Sequence, residues 1–114
     1  MKNAIIIAAL TVVASTATAS AQSYAETRID RRGAKQNHRI EQGQRTGQLT
    51  VYEARGLKLQ QARIHAMERH AKSDGYIDRR EVRRIERAQD AASRRIAYQR
   101  HDRDRRGYWY RRWW

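Results

Sequence analysis

The stretch AKSDGYIDRRE, Ala71 to Glu81, has the donor types of half a calcium loop. A calcium loop of this helix-flanked kind takes oxygen ligands at positions 1, 3, 5, 7, 9 and 12, with glycine at 6. Setting Gly75 at position 6 puts Asp74 at 5, the Tyr76 carbonyl at 7, Asp78 at 9 and Glu81 at 12. Apolar Ile77 falls at position 8, as such loops prefer. Positions 1 and 3 are His70 and Lys72, and these do not fit. Imidazole is a poor ligand for a hard cation, and an ammonium repels it. Asp74, Asp78 and Glu81 are therefore weak calcium candidates, and the stretch reads as a turn and helix cap.

Other reactive groups are sparse. The histidines are His38, His65, His70 and His101. His65 and His70 are spaced wrongly to share a helix face. His101 with Asp102 and Asp104 offers a loose transition-metal set, but the three read rather as solvated side chains on a polar face. The carboxylates mostly stand beside arginines, as in IDRRG, IERAQD and HDRDRR, and read as surface ion pairs of little individual worth. Ser23, Ser73 and Ser93 have no nucleophile motif around them, and no glycine-rich phosphate loop occurs. With no cysteine anywhere, thiol catalysis, thiolate metal sites and disulfides are excluded. The pattern is that of a non-enzyme, without a catalytic residue or a cofactor.

The most unusual stretch is the carboxyl terminus, HDRDRRGYWYRRWW. Trp109, Trp113 and Trp114 are the chain's 3 tryptophans. They are interleaved with Arg105, Arg106, Arg111 and Arg112. Tryptophan and tyrosine favour membrane interfaces, where one end of the ring is apolar and the other wet. Arginine pairs bidentately with phosphate. These seven residues form the candidate site for an anionic surface. Stacking on single-stranded nucleic acid would use the same residue types, and folding back over the core is a further possibility. Gly107 is expected to end the last helix.

At the amino terminus, MKNAIIIAALTVVASTATASAQS has a lysine, an apolar run over residues 4–14 and small residues at Ala19 and Ala21. This is the three-part pattern of a secretory signal, too short to span a bilayer. Cleavage is expected after Ala21. Residues 22–104 would be a helical domain, and 105–114 the tail. The full chain carries 25 Lys and Arg against 12 Asp and Glu. Losing Lys2 leaves a charge of +12. A periplasmic or secreted location follows, with an anionic envelope surface or client proteins as partners. Export makes nucleic acid the less favoured partner.

Few large aliphatics are available for a core, but good helix formers are abundant and proline is absent. An internal repeat relates TGQLTVYE to DGYIDRRE at an offset of 28 residues. Gly47 matches Gly75, Leu49 matches Ile77, Thr50 matches Asp78 and Glu53 matches Glu81. In each copy glycine serves a tight turn. Thr50 or Asp78, with Glu three residues on, then forms a capping box that starts a helix. A second helix is expected over about 51–72, with Ala54, Leu57, Gln61, Ile64, Met67 or Glu68, and Ala71 inward. A third is expected from about Arg79 to Gln99 or beyond, with Val82, Ile85, Ala88 or Gln89, Ala92, Ile96 and Gln99 inward. A first, over about 25–42, turns Ile29, Gly33, Gln36 and Ile40 inward. The fold class is all-α, a three-helix hairpin or open bundle with two EF-hand-like helix-turn-helix joints. Leu49 and Ile77 are expected to pair across the two turns as a short two-stranded contact. The thin core leaves room for a homo-oligomer.

GQLTVYEARGL and AKSDGYIDRREVRRIERAQDAASRRI resemble a family of small, secreted, uncharacterised helical proteins of Gram-negative bacteria. Members carry a Gly-Gln-Leu-Thr turn followed by an Ala-Lys-x-Asp-Gly turn. The resemblance covers about residues 28–102 and implies a helical fold without naming an activity. KSDGYIDRRE is also similar to the turn of tellurite-resistance TerB-like domains and of EF-hands. LTVYE resembles the Leu-Thr-x-x-Gln motif of Spy/CpxP-type periplasmic chaperones, with Glu53 where glutamine is expected. That likeness implies an alternative role as a periplasmic chaperone or stress protein. The calcium sensor remains the least favoured of the three.

Overall fold

Two short turns divide the chain into three long helices: α1 (Ser15–Arg45), α2 (Val51–Lys72) and α3 (Arg79–Arg111). The computed structural model describes the backbone of residues 15–111 and the side chains of residues 20–102. Each helix packs against both others, so the chain forms an all-α three-helix bundle. Its path is up, down and up. Among the described residues there is no strand.

The turns are built from the repeated pattern. Gly47 ends the first helix region with φ of 74°, a left-handed conformation that glycine adopts without a Cβ penalty. The Leu49 amide donates to the Gly43 carbonyl at 2.9 Å, closing the end of α1. Thr50 then caps α2. Its Oγ1 accepts from the Glu53 amide at 3.1 Å, and the Glu53 carboxylate accepts from the Thr50 amide at 2.8 Å. The second turn repeats the solution. Gly75 has φ of 91°. The Asp78 carboxylate accepts from the Arg80 and Glu81 amides at 2.7 and 2.8 Å. Glu81 accepts from the Asp78 amide at 3.0 Å. Both capping boxes read from the sequence are thus present.

The core has two apolar ends and a polar middle. One end gathers Ile29, Ile64, Ala71, Ile77, Ile85 and Ala92, with Met67, Val82 and Ala88 packed against them. The other gathers Ile40, Leu49, Ala54, Leu57 and Ile96. Between them each helix contributes one buried glutamine: Gln36, Gln61 and Gln89. Gln36 Nε2 donates to the Gln89 carbonyl at 2.7 Å, and Gln61 Nε2 donates to Gln36 Oε1 at 3.0 Å. Gln89 Nε2 donates to the Ile29 carbonyl at 2.9 Å. At the sequence's two open positions the structure buries Glu68 rather than Met67, and Gln89 rather than Ala88.

Three expectations are corrected. Leu49 and Ile77 do not pair: they belong to opposite apolar ends. The reason is geometric, because α2 has 22 residues and separates the two turns by about 33 Å at 1.5 Å per residue. Gly107 does not end α3, whose backbone continues to Arg111. A single glycine costs a helix only about 1 kcal/mol relative to alanine, and the arginines before it are good helix formers. Finally, α1 is longer than expected at both ends, running from Ser15 to Arg45. Alanines at 17, 19 and 21 favour the turns added at the amino-terminal end.

Candidate anion-binding surface

The charge on this bundle is sorted by the way α3 sits in it. Ile85, Gln89, Ala92 and Ile96 are buried and fix its inward line. One flank then faces α1. There Glu86 pairs with Arg28 and Asp90 pairs with Arg32. One further turn along, Arg39 Nη1 donates to Ser93 Oγ at 2.8 Å. Across the other side of α1, Lys72 Nζ lies 3.5 Å from Asp30 Oδ1. The carboxylates of IDRRG and IERAQD therefore bridge helices rather than pair with their sequence neighbours. These groups are partly exposed, so each pair adds little stability. Their effect is on distribution: α3 spends its mid-helix carboxylates on α1.

What remains on the outward side of α3 is cationic. Arg80, Arg83, Arg87 and Arg94 are all exposed. None has an ion-pair partner among the described residues. On the inward side, one turn past Ile96, half-buried Arg100 donates from Nε to Gln48 Oε1 at 2.7 Å and ties α3 to the first turn. Sequence reading assigned the inward line of α3 but not its opposite. The signal was available, since the same 3.6-residue period that aligns the core positions aligns the arginines on the other side.

Of the tail residues, Arg105, Arg106, Trp109 and Arg111 fall within the backbone of α3, and their side chains lie outside the described residues. Arg112, Trp113 and Trp114 lie outside the described residues altogether.

The weak calcium candidates have other work. Asp78 and Glu81 cap α3, as described above, while Asp74 stands exposed in the turn. Among the described residues no three histidine, aspartate or glutamate side chains converge on one point. His65 Nδ1 lies 3.3 Å from Glu68 Oε2 on the same helix, and Glu68 is buried. His38, His70 and His101 are exposed.

α2 shows a different outward side. Val51, Tyr52 and Leu59 are 65%, 86% and 55% exposed. The outward side of α2 thus carries exposed apolar groups among exposed cations, Arg55, Lys58 and Arg63. Among the described residues no helix is long and apolar enough to cross a membrane. No protein-family model matches the chain, and no match was found among curated proteins or solved structures.

Proposed function

We propose that this chain is a non-enzymatic, exported helical protein that binds anionic components of a bacterial envelope, lipid or lipopolysaccharide, through its arginine- and tryptophan-rich tail. The binding residues are Arg105, Arg106, Trp109, Arg111, Arg112, Trp113 and Trp114. The observation that carries this reading is the segregation of all 3 tryptophans into one arginine-rich segment of a chain with net charge +13. Arginine supplies phosphate pairing, and the rings supply interfacial anchoring. The three-part amino-terminal pattern supports export to the periplasm or beyond, with cleavage after Ala21.

The tail holds every tryptophan, so it reports on itself. Titration with vesicles containing lipopolysaccharide should shift tryptophan emission to the blue, and added salt should weaken the shift. An emission spectrum that stays constant through the titration overturns the reading.

The exposed Val51, Tyr52 and Leu59 favour a second reading, a chaperone or stress protein that holds unfolded clients on α2. It predicts suppression of client aggregation at near-stoichiometric ratio that survives deletion of residues 105–114. Loss of suppression on that deletion excludes it.

A further inference from the structure

The outward side of α3 suggests how the whole bundle meets its surface. Arg80, Arg83, Arg87, Ala91, Arg94 and Tyr98 recur at helical spacing opposite the buried line of Ile85, Gln89, Ala92 and Ile96. Tyr98 is 65% exposed. Glu86 and Asp90 are turned aside toward Arg28 and Arg32, so no carboxylate interrupts this strip. From Arg80 to Arg94 the strip covers about 21 Å at 1.5 Å per residue. The backbone of the same helix continues without a break to Arg111.

We propose that α3 lies lengthwise on an anionic lipid surface, with Arg80, Arg83, Arg87 and Arg94 against the headgroup phosphates. This deepens the reading above and rests on it: the tail is then one end of a longer contact, and the bundle lies on its side. Several features favour a lipid plane over a nucleic acid. A straight helix touches a flat surface along its full length. The arginine guanidiniums match the phosphates of either partner, so the flatness of the contact and the ring beside it decide. Tyr98, in line with them, is of the type that settles at the headgroup level. The α2 side, with Val51, Tyr52 and Leu59 outward, is left facing away.

Each cation near an anionic lipid surface contributes roughly five-fold to affinity, about 1 kcal/mol. Changing all four arginines to glutamine should weaken binding at least ten-fold after allowance for salt screening. The test uses full-length mature protein and vesicles of about three parts phosphatidylethanolamine to one part phosphatidylglycerol. The control changes Arg31, Arg45, Arg55 and Arg63 to glutamine, which removes the same charge from exposed positions on α1 and α2. Both variants should keep the wild-type helix content and melting temperature, because the substitutions are on the surface.

Orientation has its own readout. The chain has no cysteine, so Ala91→Cys and Ala62→Cys can each carry a single environment-sensitive dye. The dye at residue 91 should be shielded from an aqueous quencher on vesicle binding, and the dye at residue 62 should not. A ten-fold loss for the α3 variant, a loss under three-fold for the control, and shielding at residue 91 alone support the proposal. Equal losses for both variants, or wild-type affinity in the α3 variant, overturn it and leave the tail as the contact. Loss of oligonucleotide binding with vesicle binding retained overturns it also, and reassigns the strip to nucleic acid. If the wild-type protein ignores the vesicles, the envelope reading itself fails, and this inference with it.

Discussion

Replacing Gln36 with leucine should destabilise the bundle, and replacing all three core glutamines should not. Gln36 is 2% exposed and makes two contacts across the polar layer. Its Nε2 donates to the Gln89 carbonyl at 2.7 Å, and its Oε1 accepts from Gln61 at 3.0 Å. Gln36→Leu leaves the Gln61 amide nitrogen buried without an acceptor. Gln61 Oε1 already lacks a partner, so the whole Gln61 amide is then orphaned. An orphaned buried polar group costs about 1–3 kcal/mol, and a loss of about 2 kcal/mol is expected. In a domain of this size that lowers the melting temperature by roughly 8–16 °C.

The triple variant Gln36→Leu, Gln61→Leu, Gln89→Leu removes three hydrogen bonds, each worth about 1 kcal/mol net. It also removes the unpaired Oε1 atoms of Gln61 and Gln89, which now lie buried without a donor. Exchanging a partly satisfied polar layer for apolar side chains of similar size is near neutral or stabilising. The triple should therefore sit within about 1 kcal/mol of wild type or above it. Urea unfolding followed by far-ultraviolet circular dichroism measures both variants. A neutral Gln36→Leu, or a triple as unstable as the summed singles, would refute the reasoning.

The two capping boxes should be close to equivalent. Thr50→Ala and Asp78→Ala each remove the acceptor for a first-turn amide, and each should cost about 1 kcal/mol in urea unfolding. A difference of more than about 2 kcal/mol between them would mean that the turns are not held by the same device. Calcium at millimolar concentration should leave the melting temperature of the mature protein unchanged, because Asp78 and Glu81 serve as caps and position 3 is Lys72. A rise of several degrees would restore the loop as a metal site.

Much of the fold was legible because it rests on local signals. The bounds of α2 follow from Thr50, Glu53 and Gly75, each of which acts within a few residues of itself. The inward lines of all three helices follow from spacing alone. The polar layer was legible in part: Gln36, Gln61 and Gln89 stood on those lines, but their joining into one layer depends on the antiparallel packing. The Leu49–Ile77 pairing failed for the same cause, since a repeat in sequence does not say on which end of a bundle each copy falls. Gly107 misled because a glycine ends a helix only where the backbone also turns left-handed, as at Gly47 and Gly75. Gly43 was not singled out, yet it is buried, and a Cβ there would lie 2.8 Å from Leu49 Cδ1. The surface was the least legible part. Glu86 and Asp90 read as partners of their arginine neighbours, and only the packing of α3 on α1 shows that they pair with Arg28 and Arg32 and leave the outward arginines uncovered.

The short joints at residues 46–50 and 73–78 have a kinetic consequence. Each connects neighbours in a hairpin of helices, so most contacts are close in sequence and little loop-closure entropy opposes them. Helical bundles of this kind fold in microseconds to milliseconds. The chain contains no proline to isomerise and no cysteine to oxidise. Neither of the two slowest steps of ordinary refolding is therefore available to it. A chain that crosses a membrane unfolded would reach this structure on the far side without an isomerase or an oxidant to wait for.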